Sequence, residues 1–298
     1  MKLVTYLDDS REHLGALISA GVLDLSAAAS VLGRPIPATM QGLIEAGPTA
    51  WDTARGLIHA CPEVCIRRNA ALLAPLPRPT RLRDASLFLE HMEVALKKLG
   101  RSMSEQFKQQ ILYYNADNVH IFGTDVDIPW PKKSSWIDYE LEWACVIGQP
   151  GVDIPTSRAS QHIFGFTIFN DWSARDLQFP FMEGNLGPGA GKDFANGLGP
   201  CIATPDEFPD PYALRMTARV NGELWSSGST GSMYYRFEDA VSQLSTDRPL
   251  VAAEVIGSGT VLGGCGFELD RKLSLGDLVE LEIQGIGVLR NRVVAATK

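Results

Sequence analysis

"DYELEWACVIG", residues 138–148, is the stretch that decides how this chain is read. From Leu141 onward it is an apolar run, the pattern of a strand buried on both faces. Yet Glu140 and Glu142 stand two residues apart, and residues two apart on a strand share a face. Both carboxylates therefore point the same way. Like charges side by side repel, and a buried carboxylate without a partner is costly. Two arrangements make the pair tolerable. One is a half-exposed strand with a solvated polar face. The other is a divalent cation, and hard oxygen ligands select Mg²⁺, Mn²⁺ or Ca²⁺.

Further carboxylates lie downstream and upstream. "FGFTIFNDWSARDLQ", residues 164–178, reads as an apolar strand ending at Asn170–Asp171, with Arg175, Asp176 and Gln178 following within two helical turns. Asp171 at that position is either a helix cap or a ligand aimed beyond the end of the sheet. "DASLFLEHMEVALKKLG", residues 84–100, reads as a helix with Asp84 as its N-cap and Gly100 past its end. On such a helix His91, seven residues on, shares a face with Asp84 two turns away. "GAGKDF", residues 189–194, wraps glycine-rich backbone around a single lysine, Lys192. That fits close approach to a ligand or an exposed loop with one solvated lysine.

Around these segments the chain is β-rich. Strands are expected at 163–170, 213–220, 278–284 and 287–295, besides 137–148. Helices are few and do not alternate with strands, which argues for an α+β, β-rich architecture and against a doubly wound sheet. Residues 1–75 read as a small N-terminal α/β unit: a strand in "KLVTYL", a hairpin turning at Gly21, and helices in "TMQGLIEAG" and "AWDTARGLIHAC". The prolines of "LLAPLPRPTRLRD" mark an extended connector into residues 76–298, which hold the acidic motifs.

Composition narrows the function. The 298 residues are 45% hydrophobic, enough for a large core, and carry a net charge of −8, which disfavours a nucleic-acid partner. No run of about 18 apolar residues predicts a membrane span, and the start has no signal-peptide pattern. Five scattered cysteines suit reduced thiols in a cytoplasmic protein. "HACPEVC" has sulfurs four apart and no second ligand pair, so it is read as buried thiols and not as a zinc site. "GPGAGKD" lacks the first glycine and the Ser/Thr of a phosphate-binding loop, and "GSGTVLGG" lacks the spacing and βαβ setting of a dinucleotide loop.

Six motifs in order, "RDASLFLEH", "DYELEWACVIG", "FNDWSARDLQ", "GKDF", "GSGTVLGG" and "LSLGDLVELEIQGIGVLRNRV", resemble the fumarylacetoacetate hydrolase family from about residue 75 to the end. The N-terminal part is similar to the small cap of many bacterial members. The resemblance implies a mixed β-roll or sandwich core, a homodimer, and one Mg²⁺ or Mn²⁺ per site, with Ca²⁺ as a substitute in crystals. It implies Glu140, Glu142 and Asp171 as metal ligands, with Asp84 as a further aspartate seven residues before His91. It implies His91 as general base, oriented by Glu268 of "GFELDR", Glu93 being the local alternative. Lys192 and Arg175 are implied as catalytic cations, and Tyr114, Gln178 and Thr260 as substrate contacts. The implied reaction is hydrolysis of a C–C bond in a small acidic 1,3-diketone or acylpyruvate, through an enolate stabilised by the metal as Lewis acid. An oxaloacetate-type decarboxylase or a dienoate isomerase or hydratase would use the same platform, and a weakly active metal-binding scaffold is the non-enzymatic alternative. "FPFMEGNLGPGAG" and residues near 100–115 are expected to shape the pocket. There Phe179, Phe181 and Met182 form either an apolar wall for an aryl or alkyl group or part of a dimer interface.

Overall fold

A computed structural model describes residues 1–296. Its centre is Leu141–Ile147, in which every residue is buried. Alternation sends Trp143, Cys145 and Ile147 into one core and Ala144 and Val146 into the other. The strand thus sits mid-sheet with apolar layers on both sides, as its near-continuous apolar sequence requires.

The large sheet runs from Ile66–Arg67 through Gly21–Asp24, Arg11–Ile18, Lys2–Asp8, Asn196–Ala203, Ile163–Asn170, Leu141–Ile147, Glu254–Gly257 and Arg81–Ala85 to Tyr113–Ala116. Along this path its pairs are antiparallel except Glu254–Gly257 with Arg81–Ala85, which run parallel. A second open sheet orders Glu223–Ser229, Arg215–Val220, Leu278–Ile283, Gly287–Ala295 and Val126–Trp130. It packs face to face on the first, Met216, Ala218, Leu281 and Leu289 meeting Trp143, Phe166 and Ile168 in one core. The opposite face of the large sheet is covered by the helices Leu25–Leu32, Met40–Glu45 and Pro48–Ala60, whose Leu25, Leu43 and Leu57 join the other core. The architecture is strand-rich α+β, as expected, and among the described residues the sheets are open and form no closed barrel. No described helix is long and apolar enough to cross a membrane. All five cysteines are free thiols, four of them buried.

One element differs from expectation and matters for the site. The helix expected over 84–100 starts later, at Leu89–Lys98, with Phe88 at its N-cap and no side-chain cap. Asp84 is not a helix cap and shares no helix with His91. It belongs to the strand Arg81–Ala85, paired on one side with Glu254–Gly257 and on the other with Tyr113–Ala116. Backbone pairing on both edges, with Leu82 inserted into the helix-side core, overrides the local helical pattern.

Candidate active site

The functional groups gather where the central strands run out. Ile163–Asn170 delivers Asp171 just past its last residue, and Leu141–Ile147 delivers Glu142 on the face that Ala144 and Val146 occupy further along. Asp84 arrives from Arg81–Ala85, its Cα paired with Gly257. One carboxylate oxygen from each of Asp84, Glu142 and Asp171 lies within 4.8 Å of the others, and all three residues are buried. Asp84 accepts a hydrogen bond from the Gly259 amide at 3.0 Å, and Glu142 accepts one from the Thr260 hydroxyl at 3.1 Å. The Tyr114 hydroxyl donates to Asp171 at 2.6 Å. Glu142 Oε2 and Asp171 Oδ1 are buried with no donor at all. A buried oxygen without a partner is costly, and three converging carboxylates compound the cost. This oxygen-only set with two idle ligand atoms fits a hard divalent cation such as Mg²⁺ or Mn²⁺.

The titration behaviour follows from the same crowding. Burial pushes the Asp84 carboxyl up to about 6, against the lowering pull of its contact with Glu142 and of Lys192. Burial pushes Asp171 up to about 7, again against Lys192. Glu142 is held well above the ordinary carboxylate range by burial and then by the charges of Asp84, Asp171 and Glu140.

Glu140 answers to different partners. It is absent from the three-carboxylate cluster and lies between two cations, Lys192 Nζ at 2.5 Å and Arg175 Nη1 at 2.7 Å. Burial raises its carboxyl, but Lys192, Arg175 and His91 outweigh that and hold it well below the usual range. The neighbouring glutamates thus differ in their surroundings: Glu140 is ion-paired with Lys192 and Arg175, while Glu142 accepts from Thr260 within the carboxylate cluster and is held well above the ordinary carboxylate range. Lys192 is buried, not a solvated loop residue, and also donates to Asp171 Oδ2 at 2.5 Å and to the Asp171 carbonyl at 3.2 Å. Its loop reaches this depth because Gly191 has no side chain: a Cβ there would lie 2.4 Å from the Gln178 Cα.

Arg175 opens the helix Arg175–Glu183 and is buried at its start. Its Nε and Nη2 donate to Asp138 Oδ2 at 3.1 and 2.7 Å, and its Nη1 donates to Gln178 Oε1 at 3.1 Å. Asp138 also accepts from the Gly266 and Phe267 amides at 2.8 and 2.9 Å. Sequence reasoning missed Asp138, although its position two residues before Glu140 continues the same alternation. It ties the arginine to the short Gly266–Leu269 helix, which carries Glu268.

His91 lies on Leu89–Lys98, with Nδ1 2.9 Å from Glu268 Oε2. The two atoms are in contact, but Nδ1 makes no aligned hydrogen bond. Glu268, not Glu93, is thus the carboxylate brought to His91; Oε2 is also fixed by the Gly264 amide at 3.1 Å.

A cavity of about 400 Å³ opens over these groups and joins His91, Glu140, Glu142, Asp171, Arg175 and Lys192 in its lining. Tyr114, Gln178 and Thr260 line it too, so every expected site residue except Glu268 borders it directly, and Glu268 reaches it through His91. Phe179 and Met182 form part of the wall, as do Leu99, Phe107 and Leu112 around the 100–115 segment. Phe181 does not. It is 44% exposed and packs beneath Gly189 instead.

Residues 85–294 match the family model described as fumarylacetoacetate (FAA) hydrolase C-terminal. The rat mitochondrial oxaloacetate tautomerase Fahd2a is 30% identical over 302 residues, covering 99% of this chain and 92% of the relative. The oxaloacetate tautomerase YisK of Bacillus subtilis is 37% identical over 163 residues, 54% of each chain. Among solved structures, a fumarylacetoacetate hydrolase from Exiguobacterium antarcticum superposes with a TM-score of 0.78 at 27% identity, covering 99% of both chains. A maleylpyruvate hydrolase from Sphingobium, solved with manganese(II) and pyruvate, shares the fold at a TM-score of 0.76 and 20% identity over 100% of both chains. With motifs, fold and a family match across most of its length in agreement, this chain belongs to the fumarylacetoacetate hydrolase family.

Proposed function

We propose that this protein is a divalent-metal-dependent enzyme that hydrolyses a C–C bond in a small 2,4-dioxo acid of the acylpyruvate type. The observation that carries the reading is the His91–Glu268 pair at the wall of a cavity whose floor is the Asp84–Glu142–Asp171 cluster. The three carboxylates would hold Mg²⁺ or Mn²⁺, which supplies Lewis acidity at the substrate's oxygens when bound. Lys192 and Arg175 keep Glu140 ionised and place positive charge beside the cluster, where a substrate carboxylate is received. With its oxygen committed to Arg175, the Gln178 amide keeps its NH₂ as a donor. Glu268 orients His91, which takes a proton from water as the resulting hydroxide adds to the distal carbonyl carbon. The bond from that carbon to the methylene breaks, its electron pair stays on the methylene carbon, and His91 returns the proton there. The products are a carboxylic acid and a 2-oxo acid.

A second reading is keto–enol tautomerisation of an oxaloacetate-type acid, favoured by the tautomerase relatives at 30% identity across nearly the whole chain. There His91 moves one proton between carbon and solvent and no water attacks. A decarboxylase or dienoate isomerase would share the floor and need no attacking water. The assay follows Mg²⁺-dependent loss of enol absorbance with acetylpyruvate and fumarylpyruvate, alongside enol–keto conversion of oxaloacetate, for wild type and His91→Ala. Stoichiometric formation of pyruvate, lost by at least about a hundredfold in His91→Ala, is expected. Conversion of oxaloacetate without cleavage of any acylpyruvate would replace hydrolysis by tautomerisation. We further propose a cytoplasmic homodimer, testable by sedimentation velocity.

A further inference from the structure

The cavity has two unlike halves. The floor holds all its charge: among the described lining residues, every ionisable side chain belongs to the carboxylate cluster, to Glu140 with its two cations, to His91, or is a tyrosine. The other half is apolar. Met92 and Leu96 of the Leu89–Lys98 helix, Phe107, Phe179, Met182 and Phe267 face it. These side chains are half-buried, and the Phe179 and Phe267 rings pack against each other, tilted by 58° with centroids 5.4 Å apart. Half-exposed apolar surface lining a concave site is stabilised when a ligand covers it.

No cation with an uncommitted donor lines that half: Lys98, 5.9 Å from the Phe267 ring, donates to Asp270 Oδ1 and to the Phe267 carbonyl and lies outside the lining. Lys192 donates to three oxygens of Glu140 and Asp171, and Arg175 is divided among Asp138, Glu140 and Gln178. Arg101, in the small cleft beside Leu99 and Phe179, shares it with Glu183 and does not line the cavity. A ligand with carboxylates at both ends would therefore bury its second charge against Phe107, Phe179 and Phe267 without a partner, which is costly. A four-carbon diacid also leaves most of the wall uncovered.

We infer that the apolar half is a subsite for a hydrocarbon substituent, so that the preferred substrate is a monoanionic 2-oxo or 2,4-dioxo acid with an alkyl or aryl tail, and diacids are disfavoured. This rests on the proposed reading that the floor receives a 2-oxo acid, and it narrows the substrate class within it. In the hydrolytic reading, water adds its hydroxyl to the acyl carbon and its proton to the methylene carbon, giving an alkyl or aryl carboxylic acid and pyruvate.

Binding tests this without depending on turnover. Calorimetric titration of the Mg²⁺-saturated protein would compare pyruvate, 2-oxooctanoate, phenylpyruvate and oxaloacetate. Each fully covered methylene strengthens binding about three- to fourfold, so partial coverage of the five extra methylenes of 2-oxooctanoate gives at least about tenfold over pyruvate. Oxaloacetate is expected to bind no tighter than pyruvate. Leu96→Arg, which sets a cation in the wall at a half-buried position, is expected to reverse the order of 2-oxooctanoate and oxaloacetate. Equal affinities, or oxaloacetate tightest in the wild type, overturn the subsite. Failure of every acid, pyruvate included, overturns the reading of the floor as well. A preserved tail preference with no cleavage of acylpyruvates removes the hydrolytic step alone and leaves the subsite standing.

Discussion

At the scale of single residues the site is a problem in proton and metal bookkeeping. Burial beside one another pushes the Asp84 carboxyl up to about 6 and Asp171 up to about 7, and holds Glu142 well above the ordinary carboxylate range. A cation must displace the protons these groups hold, so Mg²⁺ affinity is expected to rise with pH across that window, by roughly tenfold per pH unit for each proton displaced. Stability carries the opposite sign. Folded values above the ordinary carboxylate range mean that the metal-free folded state binds extra protons, an advantage complete below the unfolded values and lost as pH rises through 6 to 7. Glu140 is shifted downward, so its contribution is lost only under acid conditions, outside this window. Scanning calorimetry in chelator between pH 5 and 8 should show Tm falling as pH rises, and saturating Mg²⁺ should flatten that slope. A chelated protein whose Tm climbs over this range would contradict the assignment. Glu140 and Glu142 could be picked out in the sequence because a strand has period two. Their different fates could not, because these depend on Lys192, fifty residues on, meeting one and not the other. Asp138 was visible in the same alternation. Its role in clamping Arg175 depends on the Gly266 and Phe267 amides, which only the folded chain brings near.

At the scale of elements, strands were easier to read than helix starts. Ile163–Asn170 and Gly287–Ala295 coincide with the expected spans because their apolar patterns are long and bounded by turns. Asp84 was assigned to a helix because Asp followed by an apolar, three-four-spaced run is a sound capping signature. What displaced it was two-sided strand pairing with partners about thirty and 170 residues away, a non-local term that no window contains. The same kind of contact governs the Lys192 loop, whose glycine signature was legible while its depth was not. Gly191→Ala puts a methyl group 2.4 Å from the backbone of the Arg175–Glu183 helix, and backbone cannot yield as a flexible side chain can. The loop must lift, drawing the ammonium away from Glu140 and Asp171. Overpacking of this kind costs about 1–3 kcal/mol. A catalytic group displaced by about 1 Å can cost on the order of a hundredfold in rate. The variant should therefore stay folded by circular dichroism with a modestly lowered Tm, and lose activity far out of proportion. Full activity would show that the lysine's depth is dispensable.

At the scale of the molecule, the first 75 residues are joined to the rest in a way their sequence does not announce. Their helices and hairpin read as a self-contained α/β unit, and the prolines after them read as a linker. In the fold, Lys2–Asp8 extends the large sheet by pairing with Asn196–Ala203. Leu3, Leu14, Leu23 and Leu25 share one core with Ala144, Val146, Phe169, Leu198 and Val255. Removing residues 1–75 would expose one face of the sheet that delivers Glu142 and Asp171, together with the edge of Asn196–Ala203. Each large aliphatic side chain so uncovered forfeits about 1.5–3 kcal/mol, and several at once exceed the roughly 5–15 kcal/mol by which whole domains are stable. An unpaired strand edge adds a route to aggregation. The intact chain should accordingly unfold in urea as one transition, coincident by tryptophan fluorescence and far-ultraviolet dichroism. Trp51 reports the N-terminal helices and Trp143 the two-sheet core. A fragment of residues 76–298 should be insoluble or molten and fail to bind Mg²⁺. Two separated transitions, or a soluble fragment that binds the metal, would make the N-terminal unit a detachable cap, and the carboxylate floor would then owe its geometry to residues 76–298 alone.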